Sequence, residues 1–374
     1  MIKLIHISEG MRIFLRSIRI KFKGYKKFKG NASEICEQII EKCWNAKDGY
    51  YQVSNGNYNE FYCRDFGICT DALIELGYKD RVIKTLEYAL AKFSKHGKIT
   101  QVISHRGTPF EFPSYAADSL PFLLRSLNRS GAKSLIEKYK EFLNYEIAKY
   151  YEIVFDESTG MVKKDPKISG MKDYALRISP CYHNSMLAML SIEIDKAGLP
   201  NPFKKYDFKK MIKDKFWRGT HFIDDLSDVE TITGDANVFP FWCGIFDEKD
   251  MLKKAVGKMR ENKLDTPLPL RYYHKKIKEH DMIWLSMLVN DWESDTAWLH
   301  VGMCYLEIIK KLDKGLFNEY LEEYVKFVEK RGNFLEVLEP DGKPVKSAFF
   351  CADDGMLWSS MLLRYLNSKK QINN

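Results

Sequence analysis

The chain has 374 residues, 45% hydrophobic and 14% aromatic, which is enough for a large core and too apolar for a disordered protein. Lysine and arginine number 59 against 51 acids, a net charge of +8. Nine of the bases and a single acid, Glu9, lie in residues 1–30. The remainder is nearly balanced, so the body of the protein is not a nucleic-acid surface.

Residues 1–31 read as a basic arm. Met11, Leu15 and Ile18, with arginines between them, allow a short amphipathic helix with membrane-surface contact as the minor reading. An exposed or packed basic tail is the simpler one. The arm lacks the apolar core and small-residue cleavage site of a signal peptide, and no apolar run in the chain is as long as a membrane span. The eight cysteines are scattered without a CxxC pair. They are expected to be reduced, buried thiols in a cytoplasmic protein.

Beyond the arm the pattern is helical. Helices are predicted near 32–44, 65–76, 80–94, 115–128, 131–150, 184–197, 206–215, 235–246, 249–262, 295–312, 316–330 and 354–367. Val82, Leu86, Leu90 and Phe93 make one apolar stripe. Phe317, Tyr320, Leu321, Tyr324 and Val328 make another, with Glu319, Glu322, Lys326 and Glu329 on the wet side. Other segments, such as Thr296–Ile309, are apolar or small on most sides and belong inside. Strand-like alternation is confined to Ile99–Ser104 and Phe334–Leu338.

The inner kind of helix shares a leader. Aromatic-plus-polar clusters stand before or at the start of six segments: FYCRDF (61–66), FEFPSYAAD (110–118), SGMKDY (169–174), GDANVFPFW (234–242), NDWESDTAW (290–298) and FFCADDGMLW (349–358). They recur at roughly 50 to 65 residues, a structural repeat of low internal identity. Outer and inner helices alternate, so six hairpins closing into an all-α (α/α)6 toroid is the expected fold, with short β-hairpin loops at the site face. Residues 32–374 are read as a single catalytic domain. Two helical bundles split near Gly198–Phe203 are the alternative.

Six such leaders would converge at one end of the ring. An aromatic-lined pocket with carboxylates suits a sugar, because rings stack on its apolar faces and carboxylates accept its hydroxyls. Cleaving a glycosidic bond needs two carboxyl groups, one protonating the leaving oxygen and one acting from the opposite face. Asp173, in a loop with Gly170 and Tyr174, is the candidate acid; a helix cap or a salt bridge to Arg177 is the plain alternative. Glu336, before the turn Pro340-Asp341-Gly342, is the candidate base, with Glu339, Asp353 and Asp354 as rivals. Tyr62, Arg64, Asp65, Tyr174 and Arg177 are candidate sugar-binding residues. Asp118 and Asp235 are further candidates, though helix capping is the default for both, and Asp65 could also cap. Trp242, Trp292, Trp298 and Trp358 are candidate stacking platforms. His183 is a candidate donor to hydroxyls, as is His300.

SGMKDYALR resembles the acid-bearing loop of the processing α-glucosidase family of glycoside hydrolases, in which an SG-x-x-DY-x-R string carries the general acid. That resemblance places the acid at Asp173. Trehalases have a related loop after an SG pair. A Glu followed by DG-x-P and a D/Q-x-x-x-W helix is similar to the base region of glycogen-debranching glucosidases, which places the base at Glu336. FYCRDF resembles their sugar-binding RD loop, and GDANVFPFW and TAWLHVGMCYL resemble barrel-helix motifs of the same clan. The likeness spans about residues 45–367. It departs where some acid loops carry a tryptophan, absent beside Asp173, and in the β-sandwich domain that many relatives carry. Both departures leave the substrate open.

The resemblance implies an inverting glycosidase acting on an α-glucoside or related oligosaccharide. A non-catalytic carbohydrate-binding protein on the same barrel is one alternative. A sugar epimerase using His183 and His300 is another. Asp224, Asp225 and Asp228 match the DDxxD pattern for Mg²⁺ and diphosphate, but they follow a turn-like stretch rather than sitting on a helix. There is no HExxH, no Cys/His metal spacing, no phosphate-cradling glycine loop and no GxSxG, so no metal or cofactor is expected. A small carbohydrate is the expected partner.

Overall fold

The computed structural model describes residues 4–112, 114–227, 229–276 and 292–373. Fourteen described helices carry the fold, joined by two-residue strands. Helix α1 spans Leu4–Lys23. After it come α2 (Ala32–Cys43), α3 (Cys63–Glu75), α4 (Lys79–His96) and α5 (Ser119–Ser130). The predicted helix near 131–150 is two pieces, α6 (Lys133–Lys138) and α7 (Lys140–Val154). Then follow α8 (Cys181–Ala197), α9 (Phe208–Phe216), α10 (Gly234–Trp242), α11 (Lys249–Glu261), α12 (Leu299–Leu312), α13 (Lys314–Arg331) and α14 (Ser359–Asn373).

Six of these form an inner ring. α3 packs on α5, α5 on α8, α8 on α10, α10 on α12, and α14 on α3. The Tyr365 hydroxyl donates to the Met303 carbonyl at 3.0 Å and joins α14 to α12. These helices are buried on nearly every side, as α8 shows from Cys181 to Leu190. Gly67 allows the tight α3–α5 contact, since a Cβ there would press into the Phe122 ring.

The outer helices are amphipathic and bury one stripe each. α4 buries Val82, Leu86, Leu90 and Phe93, and α13 buries Phe317, Tyr320, Leu321, Tyr324 and Val328, as their spacing predicts. α2 lies against α14, α9 against α8, and α11 against α10. Helix ends follow ordinary chemistry. Asn31 and Glu34 form a capping box on α2, and glycines 97, 131, 198 and 332 end α4, α5, α8 and α13 in the left-handed conformation. This is the (α/α)6 toroid, with the five small sheets of the described residues in the connecting segments.

The eight cysteines are free thiols, seven of them buried. Among the described residues no helix is long and apolar enough to cross a membrane. The basic arm, read from sequence as a tail, is mostly helix. α1 lies outside the ring and crosses the end where the leaders meet. Arg12 on it reaches Glu60 and the Asn57 carbonyl, and Arg16 reaches Asp353 and Asp354.

Candidate active site

A cavity of about 670 Å³ opens at that end, lined from all parts of the chain by Tyr62, Arg64, Asp65, Asp173, Tyr174, Trp292, Trp298, His300, Glu336 and Trp358. Asp173 and Glu336, 163 positions apart in sequence, both line it. Its wall is a continuous run of rings. Phe112 meets Tyr174 at 5.9 Å, Tyr174 meets Trp292 at 5.8 Å, and Trp292 meets Trp298 at 5.3 Å. Trp298 then meets His300 at 5.5 Å, and His300 meets Trp358 at 4.5 Å.

The loop carrying Asp173 is held in an unusual backbone shape. Gly170 has φ 149°, Met171 φ 61° and Ser179 φ 47°. A side chain at Gly170 would run into His183 Nε2 at 2.8 Å. Neighbouring residues of the loop point to different places. Lys172 is fully buried and binds Asp224 at 3.0 Å and Asp235 at 3.1 Å. Asp173 turns to the cavity, its side chain 21% exposed. Arg64 Nη2 donates to it at 2.8 Å and Gln101 Nε2 to both its oxygens at 3.2 Å. Burial raises the Asp173 pKa despite the opposing charge of Arg64.

Glu293 fixes this loop from beneath. Its carboxyl accepts the backbone N–H of Asp173 at 2.6 Å, of Tyr174 at 2.7 Å and of Ala175 at 3.2 Å. Burial and the Asp173 charge push it up to about 8, against the pull of those N–H donors. Glu336 stands on the segment after α13. Its Oε2 accepts the Asp353 N–H at 2.7 Å. Burial, then the Asp353 charge, holds its pKa well above the usual carboxylate range. Asp65 accepts the Trp358 indole N–H at 3.0 Å, and burial pushes it up to about 6.

The rivals of Glu336 are placed otherwise. Asp353 and Asp354 are engaged by Arg16, and the Glu339 backbone closes the Pro340–Gly342 turn, outside the cavity lining. Five candidate sugar ligands do not line the cavity. Asp118 lies one layer back, accepting from Arg64 Nε at 2.6 Å and the Tyr182 hydroxyl at 2.8 Å; its side chain makes no cap bond on α5. Arg177 and Asp235 pair at 3.0 Å within the buried Lys172 cluster, so Arg177 is not the partner of Asp173. His183 is buried behind Gly170, 3.4 Å from its carbonyl. Trp242, at the C-terminal end of α10, donates to Glu307 at 3.1 Å and stacks under Arg125.

Asp224 also belongs to the buried cluster, taken up by Lys172, Arg177 and Tyr273. Asp225 accepts the Ile178 N–H at 2.8 Å, and Asp228 lies outside the described residues. Of the diphosphate reading, neither described carboxylate, Asp224 or Asp225, is left open to a cation. Of the two histidines of the epimerase reading, His300 lines the cavity and His183 does not. Glu9, Glu60 and His105 bring ligand atoms within 4.8 Å of one another. Arg12 binds both carboxyls and supplies the positive charge a cation would bring.

The sequence pattern did not single out Gln101, Glu293, Glu60 or Tyr58 as site residues. Glu293 stands in the leader NDWESDTAW (290–298), where the tryptophans carry the visible signal. The α1 residues His6, Ile7, Glu9, Gly10, Ile13 and Phe14 also line the cavity, and no motif marks them.

The fold and the ring-lined mouth define a class: toroids of six helical hairpins with a cup at one end. Solved structures of that class match this chain over almost its full length. One is a glycosidase variant, at TM-score 0.63 and 11% identity, covering 97% of this chain and 98% of that one. Another is the GH63 mannosylglycerate hydrolase from Thermus thermophilus bound to Tris and D-glycerate, at TM-score 0.61 and 11% identity, covering 90% and 100%. A third is a glycosidase variant in complex with glucose, at TM-score 0.59 and 9% identity, covering 97% and 98%. No family model and no curated protein matches the sequence.

Proposed function

We propose that the protein is an inverting glycoside hydrolase that cleaves a small α-glucoside or related glycoside. The observation that carries this reading is the placement of Asp173 and Glu336 on one cavity walled by rings. The rings offer stacking faces to a pyranose. Asp65 and Gln101 offer acceptors and a donor to its hydroxyls. Asp173, with its raised pKa, carries the proton to the leaving oxygen. Glu336, once ionised, takes a proton from the water that attacks the opposite face of the anomeric carbon. The carbon–oxygen bond breaks as the carbon–water bond forms, and the sugar leaves with its anomeric configuration inverted.

One observation favours exchanged roles. The Arg64 fork and Gln101 hold Asp173 in the form a base requires, while Glu336 is the more strongly shifted toward protonation. The leaving group separates the two assignments. A dinitrophenyl glycoside needs no proton on departure, so the variant lacking the acid keeps its activity on that substrate and loses it on alkyl glycosides.

The leaving-group side has its own chemistry. Among the described lining residues the one guanidinium, Arg64, is committed to Asp118 and Asp173. Glu9, Glu60 and Glu293 add carboxyls, and Phe14, Phe110, Phe112, Phe349 and Phe350 add apolar rings. An uncharged, apolar aglycone fits this lining better than an acidic one such as glycerate. The test is proton NMR of the first-released sugar from a panel of α-glucosides. A β-anomer appearing first is expected. Release of the α-anomer first, or no hydrolysis across the panel, would overturn the reading.

A further inference from the structure

We propose that the outer face of α1 docks on an anionic lipid surface. α1 has two apolar faces. One turns inward, with Ile20 buried and Ile13 partly buried. The other turns to solvent: Leu4 is 85% exposed, Met11 54%, Leu15 59% and Phe22 86%. With Ile7, 58% exposed at the rim of the cavity, and the half-buried Ile18 between Leu15 and Phe22, these residues recur every three or four positions, so they form one stripe along a helix about 30 Å long. Such a stripe is unusual in a helix that is otherwise anchored, because scattered apolar residues are normal and a contiguous line of them marks an interaction surface.

The charge around the stripe selects the partner. By the helical step of about 100° per residue, Arg19 and Lys23 fall on one flank and Lys21 on the other. Lys26, Lys27 and Lys29 continue past its end, and all six are exposed. The sole acid of this segment, Glu9, is buried and bound to Arg12. Arg12 and Arg16 are turned inward and hold the helix to the body through Glu60, Asp353 and Asp354. The outer face is therefore apolar with a purely cationic rim, the pattern of a helix lying in a membrane interface. A second copy of the chain would bring the same cations face to face across a twofold axis, which disfavours a symmetric dimer through this stripe. Phe349, 45% exposed and 5.7 Å from Phe14, extends the apolar surface toward the cavity that α1 roofs. Docking would set the mouth of that cavity at the lipid boundary.

The experiment is co-sedimentation of the full chain with vesicles of phosphatidylcholine alone and of phosphatidylcholine with phosphatidylglycerol, compared with the variant Leu15→Glu/Phe22→Glu. Neither residue lines the cavity, and both are exposed, so the variant folds; circular dichroism checks it. The wild-type chain is expected to pellet with the anionic vesicles, at least tenfold more weakly with neutral ones or at high salt. The variant is expected to bind at least tenfold more weakly than wild type. Equal binding by wild type and variant would overturn the proposal, as would no pelleting with either lipid. A lipid-free dimer in analytical ultracentrifugation that the variant abolishes would assign the stripe to a second copy instead. Lipid binding is read without turnover, so this result stands apart from that of the glycosidase assays.

Discussion

Arg64→Gln tests the charge arrangement around the candidate acid. The Arg64 guanidinium is buried and bridges two carboxylates, Asp118 at 2.6 Å and Asp173 at 2.8 Å. Removing one partner of a buried ion pair costs about 3–5 kcal/mol. The lower end applies here. Asp118 keeps the Tyr182 hydroxyl, and Asp173 is partly exposed and can take up a proton. Unfolding entropy is about 2.1 cal/mol/K per residue, so over 374 residues a loss of ~3 kcal/mol lowers the Tm by about 4 °C. The same change removes the largest influence opposing the raised Asp173 pKa, so that pKa rises further. If Asp173 is the general acid, it must be protonated to work, and the alkaline limb of kcat/KM moves to higher pH. If it is the base, the acid limb moves up instead. Calorimetry and a pH–rate profile on an alkyl glycoside read both effects. An unchanged Tm with neither limb displaced would refute the reasoning.

Asp173→Asn and Glu336→Gln should each lower kcat on an alkyl glycoside by about 10²–10⁴, with the Tm of each within a few degrees of wild type. With Glu336 as the base, Arg16→Gln should move the acid limb of kcat/KM upward; with Glu336 as the acid, the alkaline limb moves up instead. Arg16 is among the groups that lower the Glu336 pKa, and a base must lose its proton to act. Glu293 has a folded pKa of about 8, above its ordinary carboxylate value. The folded state therefore keeps a proton that the unfolded chain has released. Its stabilising contribution is complete below about pH 4.5 and is lost as pH rises through 8, so denaturant stability should fall across that window, and Glu293→Gln should flatten the fall. Finally, kcat/KM for an octyl or phenyl α-glucoside should exceed that for a glucoside of glyceric acid by tenfold or more; the reverse order in a competition assay would remove the apolar-aglycone reading.

Much of the ring was legible because burial leaves a periodic trace. Val82, Leu86, Leu90 and Phe93 of α4 repeat at helical spacing for one reason, a single face against the core. The inner helices lack that stripe because they are covered on all sides, and their uniform apolarity was itself the signal. The candidate site was legible in part. Asp173, Arg64 and Trp358 stand in leader segments whose convergence follows from the toroid, and Glu336 stands in the predicted strand-like stretch Phe334–Leu338. Arg177 and Asp235 carry the same local signature of charge among rings, yet they serve each other in the interior. Sequence shows that a charge is present and not which way it turns. Glu293 escaped notice because its partners are backbone N–H groups, which no residue type announces. The place of α1 was hidden because Arg12 and Arg16 look like surface charge until Glu60, Asp353 and Asp354 are brought to them by the fold.

The buried cluster behind the acid loop has a role that its position makes necessary. Lys172 and Arg177 face Asp224 and Asp235, two charges against two, with contacts between 3.0 and 3.4 Å. Charges so deeply buried are costly unless balanced and hydrogen-bonded, and here they are balanced by count. Lys172 is adjacent to Asp173 in the chain, and Arg177 Nη2 donates to the Gly170 carbonyl at 2.7 Å. The cluster thus grips the loop on both sides of Asp173, while Glu293 takes the three N–H groups between. A loop containing left-handed Met171 and Ser179 would relax without such restraints. Fixing Lys172 inward leaves Asp173 the opposite direction, into the cavity, so one residue's burial sets its neighbour's exposure.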